Sequence, residues 1–303
     1  MDGTRVVNVA SVEHYSPFRY PGGKTWFVPH FREWLVSLPE RPRVLVEPFA
    51  GGAIVGLTAV IEGLVERLVL VEQDEFVASV WRTIFSSRCD WLIEQIENFE
   101  VSRESVVREL AVKAKSVHRR AFQTILRNRV QRGGIMAPGA SLMLNGENGK
   151  GITSRWYPTT LANRLRLLQS VRDRILFHHG DAMRYISDYS MRQDCAFFVD
   201  PPYTAGGKRA GSRLYTCHAL DHDSLFGLLA ATSGPAILTY DDALEVRSLA
   251  LKWGFCVANV IMKNTHHAVV NELAICKPAN LHNRRSVLAA RLRLPPKPEL
   301  LFT

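Results

Sequence analysis

Ala196-Phe197-Phe198-Val199-Asp200-Pro201-Pro202-Tyr203 decides how this chain is read. An apolar run ending in an acid and two prolines describes a buried strand whose C-terminal tip opens into a loop. Open parallel sheets place their ligand sites at such tips. Similar short runs recur at Val44–Glu47, Leu68–Glu72, Ile175–His179, Ala236–Thr239, Cys256–Ile261 and Glu272–Cys276. Helical periodicity separates most of them, as over Ile54–Leu64 and Leu225–Ala231, which predicts a parallel sheet covered by helices. The last two runs flank only the stretch around Lys263–Val269, too short for a crossover, and predict a terminal hairpin. The expected fold is α/β, with a Rossmann-like seven-stranded mixed sheet.

The gap between the second and third runs is too long for a simple crossover. It opens with helical spacing (Trp91, Ile93, Ile96; Val106, Leu110; Phe122, Ile125, Leu126) and turns rich in Gly, Asn and Arg from Arg127 to Arg155. This reads as a mostly helical inserted domain over 86–170. The sheet-bearing domain then comprises 1–85 and 171–280, and 281–303 forms a basic, Pro-containing tail. Residues 101–175 hold 15 Lys and Arg against 4 Asp and Glu, a balance of +11, while the rest of the chain holds 23 against 25. Residues 101–175, which overlap most of the insertion, therefore carry the whole basic excess of a chain with net charge +9, as a nucleic-acid contact surface would.

At 303 residues and 47% hydrophobic, the chain can bury a full core. No run approaches the roughly 18 apolar residues of a membrane span, and Met1–Ser16 has no apolar core of a signal peptide. Cys89, Cys195, Cys217, Cys256 and Cys276 are widely spaced without a C-x-x-C pair. Buried thiols in a reducing cytoplasm fit this better than disulfides or zinc.

Two further strand tips carry ligand-type residues. Glu47-Pro48-Phe49-Ala50-Gly51-Gly52-Ala53 joins the first strand to a helix, where glycines let a ligand approach backbone N–H groups. Glu72 ends the second strand and is placed to accept hydrogen bonds from ribose hydroxyls; Asp181, after the third, could take an adenine amino group. Near the N-terminus, Phe18-Arg19-Tyr20-Pro21-Gly22-Gly23-Lys24-Thr25 imitates a phosphate-binding loop, but Phe18 stands where the first glycine is required. ATP binding is rejected. A Gly-Gly turn presenting Lys24 suits a carboxylate instead, such as the methionine end of a cofactor.

Asp200-Pro201-Pro202-Tyr203 suits chemistry on an exocyclic amine, whose lone pair is delocalised into its base. The Asp200 carboxylate and the Pro201 carbonyl can each accept a hydrogen bond from the NH2, drawing the nitrogen toward tetrahedral geometry. Pro202 stiffens the loop, and Tyr203 offers a face on which a flipped base can stack.

These motifs, in this order over most of residues 16–278, resemble the Dam-type (alpha-group) adenine-N6 DNA methyltransferases. Tyr20-Pro21-Gly22-Gly23-Lys24 and Glu47–Gly52 are similar to the family's cofactor motifs, Glu72 and Asp181 to its ribose- and adenine-contacting acids, and Asp200–Tyr203 to its catalytic tetrapeptide. Ala53 departs from a pattern that often has another glycine there. The resemblance implies a methyltransferase-type sheet, S-adenosylmethionine as the single cofactor, no metal, base flipping, and a DNA-recognition domain inserted before the third strand. Arg127-Asn128-Arg129-Val130-Gln131-Arg132-Gly133-Gly134-Ile135-Met136-Ala137-Pro138-Gly139 is similar to that domain's recognition stretch. Its arginines would clamp phosphates or read guanine, and Lys208, Arg209 and Arg213 would lie on a loop closing over DNA.

The expected activity is transfer of a methyl group to N6 of a flipped adenine in double-stranded DNA. RNA adenine methylation, DNA cytosine-N4 methylation, and a catalytically silent DNA-binding regulator are the alternatives. A cytoplasmic, nucleoid-associated monomer is expected, with a dimer as the other oligomeric reading and no membrane partner. A cognate restriction endonuclease or defence-system protein is an open partner class.

Overall fold

The computed structural model describes residues 7–19, 23–134, 136, 140–146, 149–202, 220–263 and 269–278. Strands β1 (Val44–Glu47), β2 (Arg67–Glu72), β3 (Ile175–His179), β4 (Cys195–Val199), β5 (Ala236–Asp241), β6 (Cys256–Lys263) and β7 (Val269–Cys276) form one sheet. Its order is β3-β2-β1-β4-β5-β7-β6. The strands from β1 to β5 pair in parallel, and β7 runs antiparallel to both β5 and β6. Strand order reverses between β1 and β4, so a crevice opens at their C-terminal tips, the usual ligand position in such sheets.

The apolar strand runs are explained by cover on both faces. Pleating sends Leu45, Ala196 and Phe198 into one hydrophobic cluster with α1 (Val28–Ser37), α2 (Ile54–Ile61) and α3 (Glu75–Ile84). The alternate residues Val44, Val46, Phe197 and Val199 join a second cluster, with α8 (Ala182–Tyr189), α9 (His222–Ala231) and α10 (Leu244–Lys252). Asp221 caps α9, as its position before an apolar helix predicts, accepting from Ser224 N.

Between α3 and β3 the chain forms α4 (Cys89–Asn98), α5 (Arg103–Ala111), α6 (Val117–Val130) and α7 (Pro158–Ser170). Their inward residues Ile96, Val106, Phe122, Leu126 and Leu165 belong to the same cluster as the first sheet face. The insertion thus shares its core with the sheet. Trp156, half-buried, packs edge-on against Phe99 at 6.1 Å and helps seat the segment before α7. Several insertion charges are used within the protein: Arg119 pairs with Glu109, Arg120 with Glu75 and Arg166 with Glu97. Among the described residues, no helix is long and apolar enough to cross a membrane.

Candidate active site

Lys24 is the centre of the crevice's charge arrangement. It opens a short 3-10 turn, Lys24–Phe27, in which Trp26 and Phe27 are buried. Phe27 stacks on Phe198 of β4 with centroids 5.8 Å apart, which fixes the turn against the strand that ends in Asp200. The Lys24 ammonium lies 3.0 Å from Asp200 Oδ1 and 3.8 Å from Glu272 Oε2, with only 4% of the side chain exposed. Thr239 Oγ1, near the end of β5, donates to the same Asp200 oxygen at 2.8 Å. Burial alone would lower the lysine's pKa; the charges of Asp200 and Glu272, with Asp241 behind them, more than offset this and raise it. Behind Asp200, buried Tyr240 shares a 3.0 Å hydrogen bond between its hydroxyl and His222 Nδ1.

On the other side of the switch point, the chain after β1 makes a tight turn. Ala50 N donates to Val71 O, and Ala53 N donates to Ala50 O at 2.6 Å. Gly51 has φ 45° and Ala53 has φ 50°, so the residue standing where a glycine is often found adopts the left-handed conformation. Its methyl is nevertheless buried, with 2% of the residue exposed. Glu72 Oε2 accepts from Gly51 N at 2.9 Å and Oε1 from Asp74 N at 2.8 Å. Burial, partly opposed by these two bonds, pushes its pKa up to about 7. Asp181 follows β3, where Gly180 N bonds to Glu72 O. Its side chain is exposed and caps α8 through Met183 N.

Residues 20–263 match the model of the D12 class N6 adenine-specific DNA methyltransferases. The chain belongs to this family. It is accordingly an S-adenosylmethionine-dependent enzyme whose substrate is DNA adenine. Solved structures with some likeness include the rRNA methyltransferase AviRa from Streptomyces viridochromogenes, 11% identical over 97% of this chain and 98% of that one, with a TM-score of 0.42. Another is the protein PH1948 from Pyrococcus horikoshii, described as a candidate RNA methyltransferase: 10% identical, covering 90% and 92%, with a TM-score of 0.38. Among curated proteins none matches.

The donor set of the methyltransferase fits its cofactor. Glu72 is held at the crevice by two backbone N–H groups, and a partly buried carboxylate there is suited to hydroxyl donors. Phe49, Gly51 and Gly52 are partly exposed beside it, while Pro48 and Ala50 are buried. Two expectations need correction. Glu47 is 3% exposed and accepts from Gly56 N at 2.9 Å, so its carboxylate serves the first turn of α2; burial raises its pKa well above the ordinary range. A methyl group on Gly56 would lie 2.2 Å from that oxygen, which explains the glycine. Lys24 does meet carboxylates, but they are those of Asp200 and Glu272. Gly23 caps the Lys24 turn; Tyr20 and Gly22 lie outside the described residues, as do Tyr203, Lys208, Arg209 and Arg213.

The expected DNA-reading stretch is corrected as well. Arg127, Asn128 and Arg129 belong to the last turn of α6. Asn128 is fully buried and brackets Arg19, accepting from its N at 2.8 Å and donating to its O at 2.9 Å. Arg129 is 3% exposed and donates to Pro17 O at 2.5 Å. Both side chains therefore face the N-terminal strap, inward from the surface. Arg127 is half-buried, 5.8 Å from the Phe76 ring. Arg132 and Gly133 remain exposed, Gly133 with φ 69°. Gly134 sits where a methyl would come within 2.6 Å of Arg19 O, so the strap passes over it.

Sequence reasoning missed Thr239 and Glu272. The available signal for Glu272 was an acid at the start of an otherwise apolar strand run; Thr239 offered none, being an ordinary β-branched strand residue.

Removing Lys24 tests this arrangement. Lys24→Met leaves Asp200 and Glu272 without their shared cation, and breaking a buried pair this way costs about 3–5 kcal/mol. The orphaned carboxylates would have folded-state pKa values above their unfolded ones, so stability should recover as pH falls toward the carboxylate range and decline as it rises. Urea unfolding across pH 5.5 to 8 measures this; a variant as stable as the parent, with an unchanged pH profile, would contradict the pairing.

Proposed function

We propose that Asp200 and Pro201 orient the N6 amine of a flipped adenine while Tyr203 stacks on its ring. The observation that carries this reading is the double anchoring of Asp200 Oδ1 by Lys24 Nζ and Thr239 Oγ1. A carboxylate fixed by two donors loses little freedom when it accepts a hydrogen bond from substrate, so its contribution is preorganised. S-adenosylmethionine supplies an activated methyl group, and Gly51, Gly52, Glu72 and Asp181 would hold it. The amine must give up conjugation to become nucleophilic. An acceptor at Asp200 and another at the Pro201 carbonyl favour the tetrahedral nitrogen and stabilise the positive charge that develops on it. Pro201 is buried and Pro202 partly exposed, which keeps that carbonyl on a stiff segment.

The enzyme is proposed to act as a cytoplasmic, nucleoid-associated monomer on a short sequence in duplex DNA. A restriction-modification or other DNA-marking system, with an endonuclease or defence protein beside it, is the proposed setting. The sequence supports this through its basic insertion and lack of a membrane-length apolar run.

Asp200→Ala keeps Lys24 beside Glu272, so the protein should fold and bind cofactor and DNA. Its single-turnover transfer from labelled S-adenosylmethionine should fall at least about a thousandfold, or roughly 4 kcal/mol, because the lost interaction acts in the transition state. A folded variant with near-parental rate would sink the mechanism. A second expectation concerns Glu72: it is ionised above about pH 7 and protonated below. Donating hydroxyls favour the ionised form, so cofactor affinity should weaken about tenfold from pH 8.5 to 6, and this dependence should flatten in Glu72→Gln. Titration calorimetry that finds the same pH dependence in both proteins would remove Glu72 from the ribose.

A further inference from the structure

Thr239 stands near the tip of β5, at a place where the sheet would accept a wholly apolar residue. Phe198 and Val199 of β4 pair with Ile237 and Leu238, so the next step along both strands sets Asp200 beside Thr239. On the other side Thr239 pairs with Ala274 of β7. Pleating puts it on the same face as Phe198, Ile237 and Ala274, all members of the first hydrophobic cluster. Its exposure is 0%.

Valine has nearly the same shape and would fill this position without a polar atom. A hydroxyl taken out of water costs free energy unless it finds a partner. Here it donates to Asp200 Oδ1 at 2.8 Å, so the polar atom at this position serves the carboxylate. Lys24 Nζ reaches the same oxygen at 3.0 Å, but the two donors differ in kind. An ammonium is a compact charge whose donors turn on a flexible stem, and it attracts a carboxylate without choosing its plane. Threonine is stiff about χ1, and this one is seated in the sheet between β4 and β7, so its oxygen is held in one place.

We propose that Thr239 is a positioning residue for methyl transfer: its hydroxyl fixes the rotation of the Asp200 carboxylate, and with it the place where the amine nitrogen is held, while Lys24 supplies the charge. The proposal rests on the reading of Asp200 as the residue that orients the amine. In-line displacement tolerates little misplacement, since the reacting atoms must lie about 3–3.5 Å apart with their orbitals aligned. A carboxylate able to swing about its Cβ–Cγ bond would keep the nitrogen in the crevice without aiming its lone pair. Thr239 therefore acts on the rate of transfer more than on binding.

The test uses the full-length chain with Thr239→Val, which keeps the shape and removes the donor, and Thr239→Ser, which keeps the donor. Single-turnover transfer from labelled S-adenosylmethionine to genomic DNA lacking adenine methylation is measured per folded molecule at saturation. Dissociation constants for cofactor and DNA are measured separately. Thr239→Val should transfer roughly ten- to a hundredfold more slowly, with dissociation constants and Tm close to the parent's. Thr239→Ser should recover most of the rate. In an Asp200→Ala background Thr239→Val should slow transfer no further. Thr239→Val at the parental rate while Asp200→Ala is slow would overturn the role of Thr239 and leave that of Asp200 standing. So would a loss that Thr239→Ser fails to recover, or one that recurs undiminished in the Asp200→Ala background, since either marks an effect of packing. Asp200→Ala at a near-parental rate would instead overturn the reading of Asp200, and this proposal with it.

Discussion

Lys24 carries a full positive charge into the interior, and the layout of the crevice follows from compensating it. Its ammonium faces Asp200 at 3.0 Å and Glu272 at 3.8 Å, with Asp241 contributing to the same field. These acids come from the end of β4, the middle of β7 and the end of β5. The lysine thus ties strands on one side of the switch point to a turn packed by Phe27 against Phe198. Pairing of this kind is weak evidence for net stability, since desolvation consumes much of the Coulomb gain. Its value here is positional: it fixes one oxygen of the carboxylate proposed to orient the amine.

The terminal hairpin makes this possible. Because β7 lies antiparallel beside β5, with Asp241 opposite Glu272, an acid far away in sequence reaches the C-terminal edge of the parallel strands. A purely parallel sheet would have no strand entering from that edge at this place. The insertion contributes from the opposite direction. Asn128 holds Arg19 and Arg129 holds Pro17, only a few positions in sequence before Lys24.

Much of this was legible in the sequence, for a physical reason. Strands covered on both faces must be apolar throughout, so β1 was delimited to the residue and β4 to within one, and the remaining strands, edge strand β3 among them, to within a few residues. Strand-tip chemistry is local too, and Glu72 and Asp200 both stand at the crevice. What escaped was pairing between distant segments. Lys24 was read as facing a ligand because nothing in its neighbourhood shows Glu272. Asn128 and Arg129 were read as surface groups because polar residues usually are; the strap that buries them is more than a hundred residues away. Glu47 was read with its neighbours as ligand-facing, whereas Gly56 makes room for it inside.

Lys24 is proposed to serve catalysis through Asp200. A double-mutant cycle of Lys24→Met, Asp200→Asn and the combined variant, read as single-turnover methyl transfer per folded molecule, tests it most directly. Strong non-additivity is expected, with the double variant transferring methyl groups no more slowly than the slower single variant. Rate losses that simply multiply would show that the two residues act independently, and would contradict it.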